Sequence, residues 1–289
     1  METSANGIYY ADNTMGHPDL DNSNGSLVTL LDELLPLAGF STVYTGTNKR
    51  VYQSNDIESN QLLCRIDDTN GGNARLRGFE TMSDIDTGTG LFPLDTQQNG
   101  GFYIYKSNSA SIRPWRFYSN GKIIYFFIDP TAAETWLGGF VFGDINSFVA
   151  NDAYGTLISG SLGNNGTWNF ALLNNASNAV LARAYTQIGA SIYTARYSHT
   201  KTSYLGYTGG AQPFPRRADN KLSLWPVEVW DTTTDARGLL PGLWNSIHNG
   251  DIPEGFEFTS IPAFPSRTLK TQITGATTRQ CLMDLTGPW

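Results

Sequence analysis

The sequence predicts a mainly β protein, built of antiparallel sheets in a sandwich or barrel-like arrangement, with one short N-terminal helix and an extended N-terminal arm. Three observations carry that. Only 16% of the residues are charged, against about a quarter in typical domains, while 30 glycines and many Asn, Thr and Ser suit turn-rich β structure better than helix. Residues 78–129 join the densest aromatic content of the chain to its clearest turn chemistry. Helical spacing of apolar residues is convincing in one segment alone.

Taken in order, residues 1–25 are polar and turn-rich and read as the extended arm. Ser26–Leu35 reads as the helix: Leu27, Leu30, Leu31 and Leu34 fall at i, i+3, i+4 and i+7, Ser26 is placed to cap the start, and Pro36 discourages continuation. About ten residues make a marginal helix alone, so the leucine stripe must dock, either on its own β domain or on a neighbouring subunit. In the second case residues 1–35 would be the inter-subunit anchor, with Leu27, Leu30, Leu31 and Leu34 as its contact face.

From Thr42 onward the pattern is strands: Val51–Gln53, Leu62–Asp67, a turn cluster at 68–73, then Ala74–Phe79. In the aromatic stretch, Asn120-Gly121 separates two β-prone runs and predicts a two-residue type I′ hairpin pairing Ser119 with Lys122, Phe117 with Ile124 and Trp115 with Phe126. Alternation then puts Trp115, Phe117, Ile124, Phe126 and Ile128 on a purely apolar core face. Arg116, Tyr118, Ile123, Tyr125 and Phe127 share the other face, which should meet another layer or another subunit. Gly138–Val149 reads as a glycine-rich strand with a bulge. A second Asn-Gly hairpin at Asn165-Gly166 pairs Gly163 with Trp168, Ser161 with Phe170 and Ser159 with Leu172. Residues 178–208 are tyrosine-rich and strand-like, 209–221 a long loop, Leu222–Trp230 a strand, and the proline-bearing 237–266 irregular. Thr268–Thr274 and Gln280–Leu285 close the chain around Gly275-Ala276. Residues 1–40 therefore form the arm and docking helix and 41–289 the β domain, in which the repeated hairpins suggest two halves dividing near residue 150.

Charge and composition narrow the function classes. A net charge of -7 repels polyphosphate, and Arg216-Arg217 is too short a basic cluster to reverse that, so no nucleic-acid partner is expected. No run approaches the roughly 20 apolar residues of a membrane span, and the N-terminus lacks signal-peptide character, so a soluble chain made in a cytoplasm, without membrane insertion, is expected. Cys64 and Cys281 read as free, mostly buried thiols; with the dispersed His17, His199 and His248 they make a zinc site improbable. No cofactor is expected.

Catalytic constellations are weak. Asp86-Thr87-Gly88 matches the triplet of aspartic proteases, yet it occurs once and Ser83-Asp84 interrupts the apolar strand that should precede it. Asp84, Asp86 and Asp95 stand at positions 1, 3 and 12 of a calcium loop, but Thr89 replaces the glycine of position 6 and the last ligand is the shorter Asp. Asp67-Asp68 with Asp84 and Asp86 supply carboxylates of the kind glycosidases pair, against the commoner reading of turn aspartates bonding their own backbone. Neither a G-x-S-x-G elbow nor a cysteine–histidine motif occurs. The seven tryptophans, Trp115, Trp136, Trp168, Trp225, Trp230, Trp244 and Trp289, suit sugar stacking only where exposed.

Several blocks form a recognisable set: Gly25-Ser26-Leu27, Tyr44-Thr45-Gly46-Thr47-Asn48-Lys49, Arg65-Ile66-Asp67-Asp68-Thr69, residues 78–93, Arg113-Pro114-Trp115, Pro241-Gly242-Leu243-Trp244 and Asp284-Leu285-Thr286-Gly287-Pro288-Trp289. Over nearly its whole length the chain resembles a family of virion structural proteins of tailed bacteriophages, from tail-region genes. Members often carry additional sequence between the helix and the Thr-Gly-Thr-Asn-Lys block, whereas here Gly39 runs almost directly into it. The resemblance implies a non-enzymatic tail or baseplate subunit, located in the virion, that assembles with copies of itself and with neighbouring virion proteins. The alternative is a receptor- or host-glycan-binding module at the tail tip.

Overall fold

The computed structural model describes residues 2–3, 7–96, 100–129, 131, 138–160, 179–183, 195–199, 224–230, 236–246, 257–258, 269–273, 280–285 and 289. In chain order come β1 (Glu2–Thr3), β2 (Tyr9–Asp12), α1 (Ser26–Leu37), β3 (Phe40–Gly46), β4 (Lys49–Ser54), β5 (Leu63–Asp67) and β6 (Asn73–Phe79). Next are β7 (Thr81–Met82), β8 (Gly88–Thr89), β9 (Phe102–Tyr105), β10 (Trp115–Ser119), β11 (Ile123–Ile128), β12 (Gly138–Asp144), β13 (Asn146–Ser147) and β14 (Thr156–Ser159). The rest are β15 (Ala179–Leu181), β16 (Ala195–His199), β17 (Leu224–Trp230), β18 (Ala236–Ser246), β19 (Glu257–Phe258), β20 (Leu269–Ile273) and β21 (Gln280–Asp284). The fold is mainly β and antiparallel, with α1 the single helix among the described residues.

A 14-stranded sheet runs β1-β2-β10-β11-β12-β14-β15-β16-β17-β18-β21-β20-β19, with β13 pairing β18, and a five-stranded sheet runs β3-β4-β5-β6-β9. Alternation along β10 and β11 splits their side chains between two cores. Trp115, Phe117, Ile124, Phe126 and Ile128 point into the first, where α1 and residues of the five-stranded sheet such as Ile66, Leu76 and Ile104 cover them. Tyr118, Ile123, Tyr125 and Phe127 point into the second, against Val227, Val229, Leu240, Leu243 and Met283 from β17, β18 and β21. The large sheet thus folds back so that its C-terminal strands cover the reverse face of its own middle. Every residue of β10 and β11 is buried, which explains why these strands are apolar or aromatic nearly throughout. The division of faces expected from the sequence holds, and the second face meets another layer of the same chain.

The hairpin register differs from the expected one by two residues. Ser119 pairs with Ile124, Phe117 with Phe126 and Trp115 with Ile128, leaving a four-residue connection. Asn120 causes this: its Oδ1 accepts from the N–H groups of both Lys122 and Ile123, each at 3.0 Å, which satisfies the turn locally in place of the tighter type I′ geometry. A slip of two leaves each side chain on its expected face. Ser159, expected opposite Leu172, instead pairs with Ala179; the remaining pairs of that second hairpin lie outside the described residues. The tight turn at Gly275-Ala276, the loop 209–221 and four of the five tyrosines at 185–207 also lie outside them, while Tyr197 sits in β16 opposite Trp230.

Part of the segment expected to be irregular, Ala236–Ser246, is an eleven-residue strand. Pro241 is tolerated because it falls in a bulge: the β17–β18 register shifts between Pro226 and Glu228, where a missing N–H breaks no ladder bond. Near residue 150 the sheet shows no break, since β12 pairs β14 directly. Part of the N-terminal arm joins the large sheet: Tyr9–Asp12 pairs beside β10, with Tyr10 opposite Tyr118, and Ala11 and Leu20 are fully buried.

Candidate functional site

The leucine stripe packs inside the chain itself. Leu27, Leu30, Leu31 and Leu34 are all 0% exposed, packed in the first core between the two sheets. They have no surface left for a neighbouring subunit, because a short helix with one apolar stripe gains most by closing the open end of its own sandwich. Ser26 does not cap the helix. Gly25, at φ +84°, precedes it, and the cap comes from a distant residue: Asp68 Oδ2 accepts the N–H groups of Leu27 at 2.9 Å and Val28 at 3.3 Å. Lys106 Nζ lies 2.6 Å from Asp68 Oδ1, both side chains being wholly buried, and also donates to the Ser23 carbonyl at 2.6 Å. Burial pushes the Asp68 pKa up against the pull of Lys106 and the two amides.

The other candidate carboxylates are likewise engaged. Asp67 accepts from Thr69 in its own turn and lies 3.5 Å from Lys49 and 3.1 Å from Arg65. Desolvation raises its pKa, but Thr69 and the two cations outweigh that and leave it lowered. Asp86 bonds both Lys49, at 2.9 Å, and Arg65. Exposed Asp84 accepts the N–H groups of Asp86 and Thr87, which lowers its pKa and closes the turn between β7 and β8. Asp95 pairs with Arg77 at 2.9 Å. Two cations already occupy the oxygens of Asp86, so Asp84, Asp86 and Asp95 do not converge as the ligands of one cation. Cys64 is a buried free thiol whose pKa burial pushes up.

Among the tryptophans, Trp115 is fully buried and stacks on Phe126, with ring centroids 5.9 Å apart, and Trp230 is buried in β17. Trp244 and Trp289 are partly exposed, and Trp136 and Trp168 lie outside the described residues. Trp289 lines a cavity.

That cavity is a cleft of about 670 Å³, walled by the 58–60 turn, the β10–β11 connection, the end of β12 with residues 145–153, the β18 bulge and Trp289. Asp144 closes β12 here: one carboxylate oxygen accepts the Asn60 N–H at 2.7 Å and the other the Thr156 hydroxyl at 2.6 Å. Burial raises its pKa despite these donors. Asp152 is held bidentately by Arg237, Nε and Nη2 each at 2.7 Å, and by the Ser147 hydroxyl at 2.7 Å. Desolvation opposes its charge, yet Arg237 and Ser147 prevail and lower its pKa. The Asp152 side chain is only 2% exposed and so braces the wall; its oxygens are already spent. At the mouth, Lys122 lies 3.1 Å from Glu58 and 3.5 Å from Asp56, which overcome its partial desolvation and raise its pKa.

Gly242, at φ +67°, makes room for the indole of Trp289: a Cβ there would stand 2.1 Å from the ring. Trp289 donates its N–H to the Asp284 carbonyl at 2.7 Å and meets Tyr125 edge to face. Asp144, Asp152, Asn60 and the cleft itself carry no sequence signature, because β pairing alone assembles them. The Pro241-Gly242 pair was the only legible hint of special backbone. No protein-family model matches the chain, and no curated protein is similar to it.

Proposed function

We propose that this chain is a structural subunit of a tailed-phage virion, in the tail or baseplate, working through contacts with copies of itself and with neighbouring virion proteins. One observation carries the reading: the charged groups a catalytic centre would need are tied between separate elements. Asp32 joins α1 to Arg50 and Tyr52, Glu80 takes Arg183 at 2.5 and 2.6 Å, Asp152 takes Arg237, and Asp68 takes α1 and Lys106. Such cross-ties stiffen a shell. The sequence resemblance to tail-region virion proteins points the same way. With the leucine stripe spent inside, subunit contacts fall to outer surfaces. The edge strand β3, with exposed Ser41, Thr42 and Val43, is one, and the neighbouring exposed Leu37 at the end of α1 extends it. Density-gradient banding of purified particles tests the proposal. The chain should co-band with infectious virions in a fixed copy number, and its loss from washed particles would overturn the reading.

A further inference from the structure

We infer that the cleft holding Trp289 is a binding site for an uncharged, hydroxyl-rich ligand, a neutral oligosaccharide. The inference stands apart from the virion reading, since it rests on the cleft alone.

The size of the cleft, about 670 Å³, lies within the roughly 300–1,000 Å³ of ligand pockets. Its chemistry selects the ligand. The Trp289 side chain has committed its only polar atom to the Asp284 carbonyl, so the indole itself adds apolar surface to the lining, the kind of surface on which the C–H face of a pyranose stacks. Asn146 and Asn151, both exposed on the lining, add carboxamides that donate and accept at once, which matches vicinal hydroxyls. Charge argues against anions. Arg237 neutralises Asp152, Glu58 and Asp56 hold Lys122, and Asp144 and Glu58 leave the walls slightly negative. Among the described lining residues, a sialylated, sulfated or phosphorylated ligand would meet carboxylates, and the one cation, Lys122, is already paired with Glu58 and Asp56.

The segments that supply the lining carry a further mark. Phe148 is 61% exposed and Ile57 93% exposed, two of only five large apolar side chains so exposed among the described residues. Each sits directly beside lining residues in the chain, Phe148 between Ser147 and Val149 and Ile57 beside Glu58. Exposed apolar side chains on the segments that also supply a cleft's lining are characteristic of a surface that meets something. The walls are also pre-formed. Asp144 locks the 58–60 turn to β12 and β14, Arg237 and Ser147 lock residue 152, and Gly242 seats the indole, so little ordering is left for the ligand to impose.

The full chain should be screened on a printed panel of neutral hexose and N-acetylhexosamine oligomers beside sialylated and sulfated ones, with hits measured by calorimetry. Binding confined to neutral members is expected. The double variant Asn146→Ala, Asn151→Gly removes two exposed carboxamides while keeping the left-handed backbone of residue 151, at φ +56°, and should weaken a hit at least tenfold with little change in melting temperature, and Trp289→Ala should abolish it. A panel without a neutral hit overturns the inference. So does equal binding of anionic members, affinity unchanged in the asparagine double variant, or crosslinks showing a second protein chain seated in the cleft.

Discussion

Replacing Asp68 by Asn is the sharpest probe of how this fold is held. Asn keeps an acceptor for the Leu27 and Val28 amides but removes the charge facing Lys106, 2.6 Å away with both side chains at 0% exposure. Lys106 is then a buried cation whose remaining contacts, the Ser23 carbonyl and the Ser26 hydroxyl, are neutral. Breaking a buried pair on one side costs about 3–5 kcal/mol, because the surviving charge has lost its counter-charge without regaining water. Unfolding entropy of about 2.1 cal/mol/K per residue over 289 residues gives roughly 0.6 kcal/mol/K, so each kcal/mol moves the midpoint by about 1.6 °C. Circular-dichroism melting should therefore show Asp68→Asn about 5–8 °C below the parent. Adding Lys106→Met removes the stranded charge and should recover at least half of the loss, since apolar replacement of a whole buried pair is often near neutral. A single variant within about 1 kcal/mol of the parent, or a double variant no better than the single, would refute the account of Asp68 as a charged cap held by Lys106.

Three further outcomes follow from the same geometry. Leu30→Ala should lower stability in urea by about 2–5 kcal/mol without altering the solution mass seen by light scattering, as the stripe is core; dissociation of an oligomer without destabilisation would return Leu30 to an interface. Gly242→Ala should cost about 1–3 kcal/mol from the left-handed backbone and also shift the tryptophan emission as the indole of Trp289 is displaced; unchanged emission would contradict the packing. Asp144 and Asp152 should respond oppositely to pH. The raised pKa of Asp144 means its ionisation destabilises the fold as pH climbs from about 3.9, so Asp144→Asn should gain on the parent between pH 3 and pH 7. The lowered pKa of Asp152 stabilises above about 3.9 and fades as pH falls through it, so Asp152→Asn should lose ground over the same rise. Urea midpoints across that range check both signs, and parallel curves would contradict the assigned environments.

What the chain revealed before folding was local. The alternation along residues 115–128 sorted ten side chains between two faces, and the leucine spacing placed α1, because both periodicities are properties of a few neighbouring residues. The register was lost to Asn120, whose side chain builds its own turn, and the partner of the leucines was lost to topology. Asp68 caps a helix 41 residues upstream, a relation no spacing encodes. The cleft was least legible of all. Its walls come from residues near 58, 120, 145, 241 and 289, brought together only by strand pairing and by the return of β17 and β18 across the sheet. Its one sequence trace was Pro241-Gly242, which reads as irregular surface backbone until the bulge shows it to be the seat of an indole.

The cross-ties also bear on the role. Committing Asp32, Asp68, Glu80 and Asp152 to holding elements together fits the proposed structural role, in which outward contacts would fall to edge strands and exposed apolar groups. The measurement that tests this most directly is immunogold electron microscopy of purified phage particles, using antibody raised to the recombinant chain. Gold clustered at the tail or baseplate is the predicted result. Particles left unlabelled while the antibody detects the chain free in the lysate would contradict the structural reading.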